Sequence, residues 1–166
     1  MRRFHPRRLA LLAALALGLT AGLGAFTFVY ARGYSYLTND PAACANCHIM
    51  SEHFDAWNKS THRSVATCND CHTPHDVVGK YTVKAKNGFW HSFYFTTGRY
   101  PDPLRITEGN REVTEDTCRY CHAAITHAID HAPAPASSAT VAVTARRTDE
   151  PLSCIRCHQY VGHLVR

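Results

Sequence analysis

The chain of 166 residues has no cysteine to spare for a disulfide. All eight cysteines stand in pairs two residues apart, and each pair is followed at once by a histidine. A small disulfide-stapled scaffold is therefore excluded. Methionine is nearly absent, with Met50 alone beyond the initiator. Acidic residues are missing before position 33, where Arg2, Arg3, Arg7, Arg8 and Arg32 are the only charges. The remaining 134 residues hold 13 basic and 13 acidic side chains, so the formal net charge of +5 belongs to the N-terminal segment. A nucleic-acid binder would carry its basic excess in the body, so that class is excluded too. The body also shows few long apolar periodicities, which leaves it short of side chains for an ordinary core.

The N-terminal segment has what the body lacks. Leu9 to Ala31 runs 23 residues without a charge. As a helix it would span roughly 34 Å, enough for a hydrocarbon layer of ~30 Å. Arginines before the run and a neutral body after it place residues 1–8 in the cytoplasm and residues 32–166 outside the inner membrane, in the periplasm. Phe26, Phe28, Tyr30, Tyr34 and Tyr36 crowd the far end like an interfacial aromatic belt. A cleaved signal peptide is the competing reading. Its apolar region would be about 7–15 residues, and Val29-Tyr30-Ala31 is a poor small-x-small site. Residues 9–31 are thus predicted as a transmembrane anchor.

The motifs are CANCH (Cys44, Cys47, His48), CNDCH (Cys68, Cys71, His72), CRYCH (Cys118, Cys121, His122) and CIRCH (Cys154, Cys157, His158). Zinc sites use Cys-x₂-Cys pairs but do not fix a histidine after every pair. Redox dithiols usually occur once, near a βαβ pattern, and the chain has none. Cys-x-x-Cys-His is the attachment signature of c-type haem, in which the thiols form thioethers and the imidazole can reach the iron. Four copies that consume every cysteine predict four covalently bound c-type haems.

Four haems in 134 residues would themselves be the core, since small domains short of apolar side chains need such staples. The predicted fold is mainly α with little regular structure: one transmembrane helix, then a multihaem domain at 32–166. Each motif is expected on a helical turn, with a longer helix over Asp76–Phe95 and another after Cys118. Residues 132–152, APAPASSATVAVTARRTDEPL, read as an exposed insertion loop, with TVAVT a short strand as the alternative.

Eight axial positions need filling. The motif histidines offer four, and His53, His62, His75, His91, His127, His131 and His163 are the others on the same side of the anchor. Bis-histidine ligation is numerically open to every haem, so the chain is at least an electron wire.

CANCHIM after an anchor, then STHRSVATCNDCHTPH, then KAKNGFWHSFYFTTG, resemble the small subunit of cytochrome c nitrite reductase, in the NapC/NirT group of membrane-anchored tetrahaem quinol dehydrogenases. The resemblance covers nearly the whole chain. It implies Met50 in place of His48 as the ligand of haem 1. It implies His72 with His163 on haem 2 and His122 with His62 on haem 3. His158 would hold haem 4, whose other ligand would be a lysine of the catalytic partner. Lys84 matches a lysine near the quinol. The acidic position beside it holds His91 here, which leaves the distal side of haem 1 open, shielded or ligated.

The resemblance thus implies an enzyme subunit that oxidises menaquinol and passes electrons to a periplasmic, ammonia-forming pentahaem nitrite reductase, without reducing nitrite itself. The alternatives are another recipient, such as a nitrate reductase, or a passive haem relay. An anchored reductase with its own substrate cavity ranks last. His75 reads as a hydrogen-bonding residue, His53 as structural, and His127 and His131 as exposed.

Overall fold

The computed structural model describes residues 5–130 and 152–163. Among them every regular element is helical, as the composition leads one to expect. The insertion expected at 132–152, with its TVAVT alternative, lies outside the described residues except for Leu152, as does His131.

Helix α1 covers Pro6–Tyr30, 25 residues with a mean hydropathy of 2.1 over its apolar window and no buried residue. Pro6 opens it, where a missing N–H costs nothing. Within it the hydroxyls of Thr20 and Thr27 donate to the carbonyls of Ala16 and Leu23, each 2.8 Å away. The two threonine hydroxyls of the run are thereby satisfied internally, as a lipid environment requires. The helix stops at Arg32, whose φ of 51° is left-handed.

A 3-10 turn, Gly33–Leu37, folds back onto the end of α1. Gly33 is required there, because a Cβ would stand 2.4 Å from the Phe28 ring. Short helices α2 (Pro41–Cys44) and α3 (Ser51–Asn58) follow, separated by a 3-10 turn at His48–Met50. Helix α4 (Cys68–His72) starts with a capping box in which Thr67 and Asp70 satisfy each other's backbone N–H.

Helix α5 spans Val77–Thr97, close to the expected Asp76–Phe95. Asp76 caps it by accepting from the Gly79 N–H at 2.7 Å, and Gly98 ends it with a φ of 65° that favours glycine. Helices α6 (Glu108–Cys121) and α7 (Ala123–Asp130) carry the third motif at their junction, and α8 (Cys154–Cys157) carries the fourth. The pairing of α4 with α6 is the most extensive contact of the body.

Among the described residues no apolar side chain is buried. The three buried residues, Thr73, Lys84 and Thr117, are all polar. A body of helices around an interior it does not fill is the arrangement predicted for a domain whose core is its haems.

Candidate haem sites and the anchor-proximal pocket

Three of the four motifs share one backbone. In each, the first cysteine accepts from, or shares a helical turn with, the motif histidine: His122 N–H to Cys118 O at 2.9 Å, His158 N–H to Cys154 O at 2.8 Å, and Cys68 to His72 within α4. The caps explain why. Thr67 and Ser153 directly precede the first cysteine and start the helix there, whereas Cys118 falls in the last turn of α6.

The first motif differs. Asp40 caps α2 and Pro41 opens it, so that helix begins three residues early and has ended by Ala45. Cys47 is extended, with φ −86° and ψ 114°, and a new turn closes from Met50 N–H to Cys47 O at 2.8 Å. His48 is exposed and Met50 is half-buried. Exposure alone does not discriminate, because His122 and His158 are exposed as well; the backbone does.

Ring geometry gathers four histidines into two pairs. A metal–imidazole bond of about 2 Å puts a ring centre about 3 Å from its metal, so two opposed ligands have centres about 6 Å apart. His72 and His163 have ring centres 6.0 Å apart, and His62 and His122 have theirs 6.1 Å apart. Burial, then the neighbouring His163, His53 and His91, push the pKa of His72 down to about 4. It is neutral at pH 7, the form a metal ligand must take. His53 also comes near the first of these pairs, 4.9 Å from His163, and burial lowers its pKa as well. His75 stacks on Tyr120 at 4.3 Å instead of meeting another histidine. His127 sits on α7 and His158 follows α8.

The motifs adjoin in chain order. Cys44 lies beside Cys68, Cys71 in electrostatic reach of Cys121, and Cys118 in reach of Cys71 and Cys154. Two side chains tie the motifs together. Thr117 of α6 donates to Cys71 O at 3.0 Å. Glu115, one turn before Cys118, accepts from the Cys154 N–H at 2.7 Å, from the Ile155 N–H at 3.2 Å and from the Ser153 hydroxyl. Burial works against the Glu115 carboxylate, but those hydrogen bonds prevail and hold its pKa below the usual range.

These residues fit covalently held haem. The interior lacks apolar filling, and two histidine pairs stand at the spacing of opposed axial ligands. Zinc fits less well: among the described residues no group of three Cys, His, Asp or Glu side chains is arranged to hold a metal ion, and zinc takes three or four such ligands.

Lys84 and His91 come together with the segment that leaves α1. Lys84 is 5% exposed, and its ammonium donates to Thr38 O at 2.6 Å and to Asn39 Oδ1 at 3.2 Å. Asn69 of α4 donates to the same two oxygens, joining the second motif to this knot. Burial, then repulsion from Lys80, lowers the Lys84 pKa. One turn and two turns on, Gly88 and His91 share its face. A Cβ on Gly88 would lie 3.4 Å from the Tyr36 ring, and the Tyr36 hydroxyl is 3.1 Å from His91 Nδ1. Burial, then the sulfurs of Cys47 and Cys44, push the Tyr36 pKa up to about 12, so the phenol stays protonated. His91 keeps an exposed edge, yet the protein packed around it disfavours its charged form and lowers its pKa. Its reactive nitrogen follows from the partner. If Tyr36 donates to Nδ1, Nε2 carries the proton; if Nδ1–H donates to the Tyr36 oxygen, Nε2 has a free lone pair. A cleft of about 410 Å³ opens beside this knot, lined by Arg32, Tyr34, Thr38, Asp40 and Asn46 among others; neither Lys84 nor His91 lines it.

The sequence reading gives Tyr36 only a place in the aromatic belt and gives Glu115 no role. Gly88, on the Lys84 face of a helix, is a signal for Tyr36, since glycine inside a helix marks a close approach. Nothing in the sequence marks Glu115.

Comparisons with known proteins give the family. Residues 5–166 match the NapC/NirT cytochrome c family, N-terminal region. The cytochrome c-type protein NrfH of Wolinella succinogenes is 38% identical over 117 residues, 68% of this chain and 62% of that protein. This chain thus spans somewhat less than two thirds of that relative's length. The cytochrome c nitrite reductase subunit NrfH of Nitratidesulfovibrio vulgaris is 33% identical over 120 residues, 72% of each chain. The cytochrome c-type protein NapC of Escherichia coli K12 is 26% identical over 181 residues, 95% of this chain and 84% of that one. A crystal structure of the cytochrome c nitrite reductase NrfHA complex, bound to the HQNO inhibitor, aligns with a TM-score of 0.58 and 26% identity over 90% of both chains. With its apolar N-terminal helix and its Cys-x-x-Cys-His motifs, this chain is a membrane-bound c-type cytochrome that belongs to the NapC/NirT family.

Proposed function

We propose that the chain oxidises menaquinol at the outer face of the cytoplasmic membrane and delivers the electrons to a periplasmic nitrite reductase. The observation that carries this reading is the knot of Lys84, His91, Tyr36 and the post-anchor segment beside the first motif. A quinol in the bilayer must meet ionisable groups near the membrane surface, and only 12 residues separate Ala31 from Cys44.

When bound, four haems supply one-electron carriers in series. The cysteines of the four motifs hold them. Met50 would hold the first, His72 and His163 the second, His122 and His62 the third, and His158 the fourth, which a lysine of the partner would complete. Residues 1–8 lie in the cytoplasm, 9–31 cross the membrane and 32–166 stand in the periplasm.

A quinol gives up two protons with its two electrons. Its lowered pKa keeps His91 neutral, and with Nδ1–H donated to Tyr36 its Nε2 accepts the first proton from a quinol hydroxyl, while the second leaves to periplasmic water. Lys84 spends two of its N–H groups on Thr38 and Asn39, and the third is available to a quinol oxygen. Haem propionates make the neutral body net acidic, which favours a basic docking surface on the partner.

The test is haem reduction in proteoliposomes. Menaquinol should reduce the haems of the unaltered chain. Lys84→Met and His91→Phe should slow that at least tenfold, while dithionite still reduces every haem. Unaltered rates in both variants, or no reduction by menaquinol at all, would sink the reading. Similarity to NapC over 95% of the chain favours a second recipient, a nitrate reductase. Co-purification with one catalytic subunit and not the other decides between them.

A further inference from the structure

The two faces of α5 have different surroundings, and only one is accounted for above. Lys84, Gly88 and His91 lie at spacings of four and three and face the post-anchor segment. On the opposite side stand Phe89 with Phe93, and Trp90 with Tyr94, each pair four residues apart. Their ring centres are 6.4 and 5.4 Å apart, and Trp90 bridges the pairs at 5.7 Å from Phe93. All four are exposed, Phe89 at 64%. Asn87 to Gly98 contains no charged residue, and Lys86 and Arg99 bound the stretch.

From these features we infer that the outer face of the C-terminal half of α5 lies in the headgroup layer of the membrane, as a second contact beside α1. The position comes from a chain of contacts. Phe28, in the last turns of α1, packs on Gly33; the turn that begins there carries Tyr36; Tyr36 packs on Gly88 and meets His91. Two contacts therefore link the end of the span to α5, and a helix is only about 10 Å across. The polar layer on each side of the hydrocarbon is roughly 5–8 Å deep. Phe89, Trp90, Phe93 and Tyr94 stand at that level.

Chemistry agrees. Tryptophan and tyrosine combine an apolar ring with one polar atom and favour the interface, and an amphipathic helix there buries its apolar face about 5–10 Å deep. A haem does not explain the exposed stripe: one on the first motif would lie on the other face, where Lys84 donates to Thr38 O and Asn39 Oδ1, six and five residues before Cys44. A soluble partner does not explain it either, since the motifs run in chain order away from this end. The inference goes beyond the proposed function: it requires α1 in a membrane but no quinol chemistry.

The experiment uses the full, haem-loaded chain in nanodiscs of phosphatidylethanolamine and phosphatidylglycerol. With every native cysteine held in a thioether, an introduced cysteine is the only free thiol. Phe89→Cys and Phe93→Cys should react with a charged, water-soluble maleimide about tenfold more slowly than Val78→Cys, which is 77% exposed in the first turn of α5. In parallel, the unaltered chain is irradiated with a phospholipid bearing a diazirine near its headgroup, and the peptide covering residues 87–99 should carry lipid adducts. Slow labelling together with adducts supports the inference. Labelling as fast as at Val78 overturns it. So does slow labelling without lipid adducts, because something other than lipid then covers the face.

Discussion

The first motif and the other three share a spelling and differ in their backbone. In CNDCH, CRYCH and CIRCH the histidine continues a helical turn that contains the first cysteine. In CANCH the turn has ended before the second cysteine, and the next one begins at His48 and runs to Met50. The difference is set upstream, by where each helix is capped. The same spelling thus sits on two backbones, one with the histidine in the first cysteine's helical turn and one with a separate turn that closes at Met50. Under the proposed ligation, a methionine on the first haem would give it a higher potential than a bis-histidine haem.

Ligand exchange gives the largest expected effects and can break the comparison. His72→Ala and His122→Ala should each convert one low-spin haem to high-spin in EPR, whereas His48→Ala should leave every signal in place. If His48→Ala removes a signal as the others do, the four motifs are equivalent after all. Met50→His should give the first site the ligand type of the rest. Its potential should fall, and quinol oxidation should drop at least tenfold, about 1.4 kcal/mol in the barrier. Unchanged titration of the first haem would count against Met50.

Smaller effects probe what holds the helical motifs together. Glu115→Ala removes three donors' acceptor at the start of α8 and should cost about 1–3 kcal/mol, read as a lowered thermal midpoint. The folded pKa of Glu115 is depressed, so its contribution is fully present above the ordinary glutamate range, near 4.3, and is lost as pH falls through the lower folded value. The acid limb of a stability–pH curve should therefore flatten in Glu115→Gln below about pH 4.3. Thr67→Ala, which removes half of the capping box of α4, should cost about 1 kcal/mol. Glu115→Ala should leave the first haem's spectrum unchanged, because Glu115 binds the start of α8 and not α2.

Much of this was legible in the residues. A charge-free run gives the anchor, fixed spacing gives the attachment sites, and Asp76 and Gly98 bracket α5. The histidine pairs were not legible from spacing. His163 is 91 positions from His72 and 5 from His158, and only tertiary structure or resemblance to known proteins distinguishes the two. The role of Tyr36 depends on a turn folding back over Gly33, and that of Glu115 on α6 meeting α8 across a long insertion. Local pattern carries no record of such meetings. The distinct backbone of the first motif is a middle case: Asp40-Pro41 is a visible helix start, and its distance from Cys44 is what matters.

The interior without apolar filling has a consequence for how such a chain is made. Until porphyrins are in place, folding offers little burial to set against the entropy of ordering the backbone. Attachment has to come first, on an extended and protease-accessible chain, and three of the four second cysteines, Cys47, Cys121 and Cys157, remain exposed even in the folded arrangement. Biogenesis is then metered by haem supply. A cell short of haem accumulates degradable polypeptide and not an idle apoprotein, and pulse-chase turnover under haem limitation would show that as a shortened half-life.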